Sequence, residues 1–368
     1  MHACSIRTDA FRTGFSAMTR DVAVDLLQKS DHSTAPVLSV VAPCFNEEKA
    51  LPEFFRRTVA ACRSAVGERY EIILVDDGSR DDSWQQISNF SEANSRVLGV
   101  RLFRNHGHQL AVSAGLAVSS GSRVMLIDAD LQDPPELLTP MMAVMDEGAD
   151  VVYGKRNSRK GETYFKLLTA SLFYRLLNAM SGVPIPQDTG DFRLMRREVV
   201  DILNAMPERH RFIRGLVSWI GGKQVPFLYD RDARVAGTTK YPLTKMLRFA
   251  VDGITSFSTA PLRAAVWLGL SIAAVAFSVA CYALIQWGRG AVIPGWASSV
   301  IAGGLFSCVQ LLVLGVIGEY LGRVFEEVKR RPLYIIGTLR KDGKDHELPG
   351  DFCQGLGIRK SRTIENAE

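Results

Sequence analysis

The stretch Leu126-Ile127-Asp128-Ala129-Asp130-Leu131-Gln132-Asp133 begins as an apolar strand and ends in carboxylates. In an open parallel sheet, ligands bind beyond the carboxyl ends of the strands. Asp128 and Asp130 are two residues apart, so an extended chain points both side chains the same way. Two oxygen anions on one side suit a hard divalent cation such as Mg²⁺ or Mn²⁺. Such a cation bridges phosphates and stabilises a departing diphosphate. Taken alone, the pair also fits a solvated turn.

The same pattern recurs upstream. Asp76-Asp77-Gly78-Ser79 ends an earlier apolar run, and Pro43-Cys44-Phe45-Asn46-Glu47 ends the first one. The Asp and Ser residues of the former also suit a turn that caps the next helix. Apolar runs at 38–42, 71–75, 97–103, 123–127 and 151–153 alternate with amphipathic stretches at 47–66, 82–93, 109–119 and 135–147. Strand and helix alternating at this spacing predict βαβ units and a parallel sheet covered on both faces, an α/β domain over 36–235. No G-x-G-x-x-G follows a strand and no G-x-x-x-x-G-K-[ST] occurs, which excludes the dinucleotide and P-loop signatures.

The surroundings differ in composition. Residues 1–35 are polar and without period, which predicts a tail, with no apolar run of signal-peptide type. Beyond 236, a loop and an amphipathic stretch at 241–257 predict a juxtamembrane surface helix within 236–262. Two uncharged runs, 264–285 and 297–318, are each about 22 residues long, enough to span a bilayer; they set a membrane region at 263–322. Lys245, Arg248 and Arg263 precede the first run, Arg323, Lys329, Arg330 and Arg331 follow the second, and the link carries only Arg289. By the positive-inside rule both flanks are cytoplasmic, leaving 323–368 as a cytoplasmic tail. The mean hydropathy of +0.05 is therefore an average over unlike parts. The 368 residues carry a net charge of +5 without a basic stripe interleaved with aromatics, so nucleic acid is not an expected partner. Six scattered cysteines, with no CxxC pair, argue against a disulfide framework or a structural zinc.

These segments together resemble family 2 glycosyltransferases of GT-A (Rossmann-like) fold. The carriers are Val40-Val41-Ala42-Pro43-Cys44-Phe45-Asn46-Glu47, Val75-Asp76-Asp77-Gly78-Ser79 and Asp128-Ala129-Asp130-Leu131-Gln132-Asp133-Pro134-Pro135-Glu136. Four more stretches resemble the polyprenyl-phosphate glycosyltransferases, which include bactoprenol glucosyltransferases and, more distantly, dolichol-phosphate mannose synthase. They are Gln187-Asp188-Thr189-Gly190-Asp191-Phe192-Arg193, Arg211-Phe212-Ile213-Arg214, Gly237-Thr238-Thr239-Lys240 and Ser256-Phe257-Ser258-Thr259-Ala260-Pro261-Leu262-Arg263. The resemblance runs from about 37 to 335, over most of the chain.

The resemblance implies a metal-dependent, inverting transfer of a sugar, glucose from UDP-glucose first, to undecaprenyl or another polyprenyl phosphate at the cytoplasmic face of a bacterial inner membrane. Alternative donors are N-acetylglucosamine, an aminoarabinose derivative or mannose. A processive polysaccharide synthase and a non-catalytic membrane partner are the other readings; the first normally carries a Q-x-x-R-W motif, which this chain lacks. The same resemblance implies that Asp128, Asp130 and Gln132 hold Mg²⁺ or Mn²⁺. Pro43, Phe45, Glu47, Asp76 and Asp77 would line the nucleotide pocket, with Lys240 closing over the diphosphate. Asp191 and Arg193 would be catalytic, and a tetramer in contact with membrane lipids is implied as the assembly. Arg156, Arg193, Arg211 and Arg214 are candidate phosphate or acceptor partners, since guanidinium pairs with phosphate in a bidentate way. A phosphate monoester is largely dianionic at neutral pH, so Asp191 need not act as a base; orienting Arg193 or sugar hydroxyls is its alternative role. His106-Gly107-His108, with no carboxylate nearby in sequence, reads as a polar loop.

Overall fold

The computed structural model describes residues 35–156, 189–230, 260–290 and 295–346. The expected tail at 1–35 (residue 35 apart), the juxtamembrane stretch 241–257 and Lys240 lie outside the described residues. The chain divides into two compact units, one built on residues 1–166, 186–240 and 331–368 and the other on 167–185 and 241–330.

The first unit is a sheet with helices. Its elements in chain order are β1 (Leu38–Cys44), α1 (Leu51–Val66), β2 (Tyr70–Asp76), α2 (Ser83–Ala93), β3 (Val97–Leu102), α3 (His108–Val118), β4 (Arg123–Leu126), α4 (Leu138–Asp146), β5 (Val151–Arg156), β6 (Thr189–Arg196), α5 (Arg197–Ala205), α6 (Ile213–Ile220) and β7 (Gln224–Tyr229). A single 3-10 turn, Pro135–Leu137, leads into α4. The second unit holds α7 (Ala260–Gly288) and α8 (Trp296–Val328). The chain then returns to the first unit as β8 (Ile336–Lys341) and β9 (Lys344–His346).

The nine strands lie in the order β7-β5-β6-β4-β1-β2-β3-β8-β9. β1 is central and parallel to both β2 and β4. The chain winds outward from β1 through β2 to β3, then crosses back to place β4 on the other side of β1. This reversal makes the gap beyond Cys44 and Leu126 a topological switch point, where α/β sheets open a crevice.

The alternation of β1 explains why both faces are covered. Leu38, Val40 and Ala42 join Leu51 and Phe54 of α1 and Met141 and Met145 of α4 in one buried cluster. Val41 points to the opposite face, against α3. A Cβ on Gly115 of α3 would collide with Val41 Cγ1 and stand 2.9 Å from Val75 Cγ2, so the glycine sets how closely α3 lies on the sheet. The buried positions of α1, Leu51, Phe54, Thr58, Ala61 and Cys62, form one helical stripe.

Two expectations change. The sheet is mixed rather than parallel: β6 runs antiparallel to β4 and β5, and β8 antiparallel to β3. Residues 323–368 are not simply a tail. α8 runs to Val328, and β8 and β9 complete the sheet. Tyr334, Ile336 and Leu339 are buried there, within the uncharged run 332–339.

Helices α7 and α8 contain stretches of 27 residues, Ala260–Gln286 and Ala302–Val328, long and apolar enough to cross a membrane, with none of their apolar windows buried. Trp267, Phe277 and Leu284 are among their exposed side chains. At roughly 25 cal/mol per Å² of apolar surface, so open a face needs an apolar surrounding.

Candidate active site

The loops after β1, β2 and β4 converge at the switch point around a cleft of about 250 Å³. Pro43, Phe45, Glu47, Asp77, His108, Asp128 and Asp130 line it. The first two loops are stitched together. Asn46 N–H donates to Ser79 Oγ at 3.0 Å, and Arg80 N–H donates to Asn46 Oδ1 at 2.9 Å. Asn46 takes φ 55°, a conformation its short polar side chain tolerates. A Cβ on Gly78 would lie 2.7 Å from Asn105 N, so only glycine lets the β2 loop press against the loop after β3.

Asp77 faces that second loop. It accepts the N–H of His106 at 2.7 Å and of Gly107 at 2.9 Å. Burial pushes its carboxyl up in spite of these two donors. Asp77 thus shapes the rim that carries His108. Asp76 differs from its expected nucleotide-lining role. It is fully buried and accepts the Ser79 N–H at 3.1 Å, so it holds the turn from behind. The cap expected from the Asp and Ser residues of 76–79 lies closer to the helix: Asp82 at the N-cap makes no side-chain bond, and Asp81 Oδ1 accepts the Ser83 N–H at 3.1 Å.

β4 ends at Leu126, so Asp128 and Asp130 project from the following turn rather than from extended chain. Asp130 Oδ1 accepts the Gln132 N–H at 3.1 Å; Gln132 enters this geometry through its backbone. Leu131 between them is buried at φ 61°, a left-handed conformation that costs a branched residue about 1–2 kcal/mol. Burial of Leu131 in the core holds it there. Asp128 Oδ1 is buried without a hydrogen-bond partner. Burial first, then the charges of Asp191, Asp133 and Asp130, push the Asp128 carboxyl up to about 6 against the pull of His108.

A divalent cation fits this set. The oxygens are hard donors, one of them lacks a partner, and negative charge accumulates around them. Among the described residues no three acidic, His or Cys side chains form a metal cage. A cation at Asp128 and Asp130 would thus share its coordination with phosphate oxygens, as Mg²⁺ commonly does.

The antiparallel pairing of β6 with β4 sets Arg193 opposite Leu126, which carries Asp191 beyond the end of β4 toward Asp128. Asp191 is 4 % exposed. His108 Nε2 lies 2.9 Å from its Oδ2, Gln109 Nε2 donates to the same oxygen at 3.0 Å, and Arg214 Nε donates to Oδ1 at 2.7 Å. Burial pushes the carboxyl up, but the charge of Arg214 and the bonds from His108 and Arg214 outweigh it and hold Asp191 well below the usual carboxylate range. So occupied an anion is a poor proton acceptor.

His108 corrects the expectation of a polar loop without a carboxylate. Its Nε2 is also 3.6 Å from Asp128 Oδ1, so it stands between the two acidic groups. Sequence alone does not announce this partner, because Asp191 is 83 residues away along the chain.

The four arginines separate. Arg193 is buried and donates to the carbonyls of Asp191 and Gly190, both at 3.2 Å. Burial pulls its guanidinium down to about 10, so it remains charged while bracing the entry to β6 rather than facing solvent. Arg211 is also buried and donates to the carbonyls of Leu203 and Met206, which ties it to the end of α5 and not to the cleft. Arg214 keeps 26 % of its side chain exposed beside Asp191. Arg156 ends β5, and its Nε is buried without a hydrogen-bond partner.

A model of glycosyl transferase family 2 matches residues 39–203, the span of the three strand-end loops and Asp191. The chain is 46 % identical to the uncharacterized glycosyltransferase YkcC of Bacillus subtilis (strain 168), over 81 % of this chain and 92 % of that protein. It is 38 % identical to the prophage bactoprenol glucosyl transferase homolog of Escherichia coli (strain K12), over 83 % of this chain and 99 % of that one. It is 39 % identical to the bactoprenol glucosyl transferase of Shigella phage SfII, over 81 % and 97 %. Among solved structures, glucosyl-3-phosphoglycerate synthase from Mycobacterium tuberculosis, in complex with Mn²⁺, UDP and glucosyl-3-phosphoglycerate, aligns over 60 % of this chain and 78 % of that one, at 23 % identity and a TM-score of 0.40. With its acidic strand-end cleft on a GT-A-like sheet and with relatives matched over nine-tenths of their length, the chain belongs to glycosyl transferase family 2 and is a sugar-transferring enzyme.

Proposed function

We propose that this enzyme transfers glucose from UDP-glucose to a polyprenyl phosphate, with inversion, at the cytoplasmic face of a bacterial inner membrane. The observation that carries the reading is the pairing of an acidic switch-point cleft with two helices long and apolar enough to cross a membrane. Relatives named bactoprenol glucosyl transferase, 38–39 % identical over most of their length, support the glucose and lipid assignments. The positive charges flanking the two spans support a cytoplasmic site.

In this reading Pro43, Phe45 and Glu47 at the end of β1, with Asp77 after β2, hold the nucleoside. Asp128 and Asp130 would hold Mg²⁺ or Mn²⁺, which would supply charge neutralisation to the diphosphate leaving group. Lys240 and Arg156 add cationic charge to the diphosphate. Arg214 holds the acceptor phosphate. An oxygen of that phosphate attacks the anomeric carbon, the bond to the diphosphate breaks, and its electron pair leaves on the nucleotide. A phosphate monoester is largely dianionic at neutral pH, so the step needs no general base. Asp191 keeps Arg214 oriented and Arg193 supports the strand behind it. Membrane lipids surround α7 and α8, and the assembly is a tetramer.

The test is transfer of labelled sugar by the purified full-length protein to a short polyprenyl phosphate, with Mg²⁺ or Mn²⁺, across a panel of UDP- and GDP-sugars. Lipid-linked product with UDP-glucose is expected. Product with another donor only would move the sugar assignment, and no lipid-linked product with any donor would end the reading.

A further inference from the structure

Gln109 is the second residue of α3, and its amide joins two distant parts of the unit. Nε2 donates to Asp191 Oδ2 at 3.0 Å. Oε1 accepts the backbone N–H of Ile213 at 2.8 Å. A main-chain N–H can only donate, so this second bond fixes which end of the amide is oxygen. Ile213 opens α6, where backbone N–H groups have no partner within the helix. The next residue, Arg214, donates back to the other oxygen of Asp191 at 2.7 Å. Asp191, Gln109, Ile213 and Arg214 therefore form a closed circuit. One link fixes the backbone of α6 relative to the carboxylate, and the other fixes the guanidinium.

We infer that Gln109 is a positioning residue for the anionic acceptor: by anchoring the first turn of α6 to Asp191, it sets where Arg214 presents its charge. The inference rests on the reading of Arg214 as the acceptor-phosphate partner. A different role, simple capping of α6, uses only the bond to Ile213. The two roles separate chemically. Gln109→Glu keeps an oxygen for the Ile213 N–H but replaces the donor to Asp191 with an anion, which also competes for Arg214. Gln109→Leu removes both bonds.

The experiment measures KM for short polyprenyl phosphate and for UDP-glucose with full-length protein in detergent. Thermal melts of each variant run alongside. Both variants are expected to raise the acceptor KM by about tenfold or more, the size of one lost charge-assisted hydrogen bond, with the donor KM within about twofold. Gln109→Glu is expected to be at least as impaired as Gln109→Leu even where its melting temperature is closer to that of the parent. Gln109→Glu with the parent's acceptor KM would reduce Gln109 to a helix cap and overturn the inference. An equal rise in both KM values would overturn it as well. If the parent itself makes no lipid-linked product, the functional reading falls, and the inference with it. A parent that transfers normally beside unaffected variants refutes the inference alone.

Discussion

The phenol of Tyr229 donates to Asp133 Oδ1 at 2.5 Å, tying the last residue of β7 to the end of the acidic loop after β4. Both residues are buried, and the Tyr229 ring packs against Phe192 with centroids 5.5 Å apart. The strand that carries Asp191 and the loop that carries Asp128 thus share one support. Tyr229→Phe keeps the ring and removes the donor. It is expected to cost about 1–3 kcal/mol of stability. The half-saturating Mg²⁺ or Mn²⁺ concentration should rise several-fold while the nucleotide pocket at Phe45 is untouched. A metal titration of activity checks this; an unchanged metal requirement would show that Asp133 does not help set the acidic loop.

Asp191 accepts from three side chains and is held ionised by them, which in the proposed reading makes it an orienting group and not a base. Asp191→Asn is expected to lower turnover by about 100-fold, the size of a misplaced reacting group. The loss should be the same at every pH from about 7 to 9, because the acceptor phosphate is largely dianionic over that range. Rate profiles of the parent and variant decide the matter. A loss that shrinks steadily toward high pH would restore Asp191 as a base.

Much of the catalytic edge was legible in sequence because strand-end loops are local. Pro43, Phe45, Glu47, Asp77, Asp128 and Asp130 each follow an apolar run, and all of them line the cleft. What sequence concealed depends on crossings between distant segments. The antiparallel entry of β6 brings Asp191 to His108 and Gln109, and neither partner carries a local signal beyond opening a helix. Arg211 and Arg214 look alike in sequence and differ by burial and by the distant partners the fold brings to each. β8 is a short strand that follows both long apolar runs, and nothing local in Leu333–Leu339 ties it to β3, more than 230 residues upstream.

That strand gives the next prediction. Ile336 is 1 % exposed on β8, which pairs with β3, and Ile335 O accepts the Phe103 N–H at 2.9 Å just before the loop that carries His108. Ile336→Ala is expected to lose about 2–5 kcal/mol by leaving a cavity. Thermal melts should drop accordingly, although the residue lies after both apolar helices. A change within about 0.5 kcal/mol would mean that the strand is dispensable to the sheet.

The pair between Arg57 and Glu136 gives a pH-dependent test. Arg57 donates from Nε and Nη2 to the two oxygens of Glu136 at 2.8 and 2.7 Å, clamping α1 to the turn that follows the acidic loop. The bond from Arg57 lowers the Glu136 carboxyl below its ordinary value. A carboxyl lowered on folding adds stability above its unfolded value, near about 4.3, and loses it as pH falls through the lower folded value. Glu136 is half exposed, so solvent screening keeps the contribution below about 1 kcal/mol. Glu136→Gln should therefore destabilise slightly at about pH 7 and not at about pH 3. An equal effect at both pH values would point to packing instead of charge.

Arg211 and Arg214 provide the sharpest separation, because two arginines three residues apart are assigned opposite roles. Arg211 holds the end of α5 through the carbonyls of Leu203 and Met206 and is not among the residues that line the cleft. Arg211→Met keeps much of the side-chain volume and leaves those carbonyls without this donor. It should cost about 1–3 kcal/mol of stability and leave the acceptor KM of the folded fraction unchanged. Arg214→Lys keeps the charge but loses the planar fork that grips a carboxylate and a phosphate together. It should melt within a few degrees of the parent and raise the acceptor KM by about tenfold. Melting curves and acceptor titrations on the same preparations read both effects. If Arg211→Met raised the acceptor KM and Arg214→Lys did not, the phosphate partner would be Arg211, and the segment before α6 would have to release it from the end of α5.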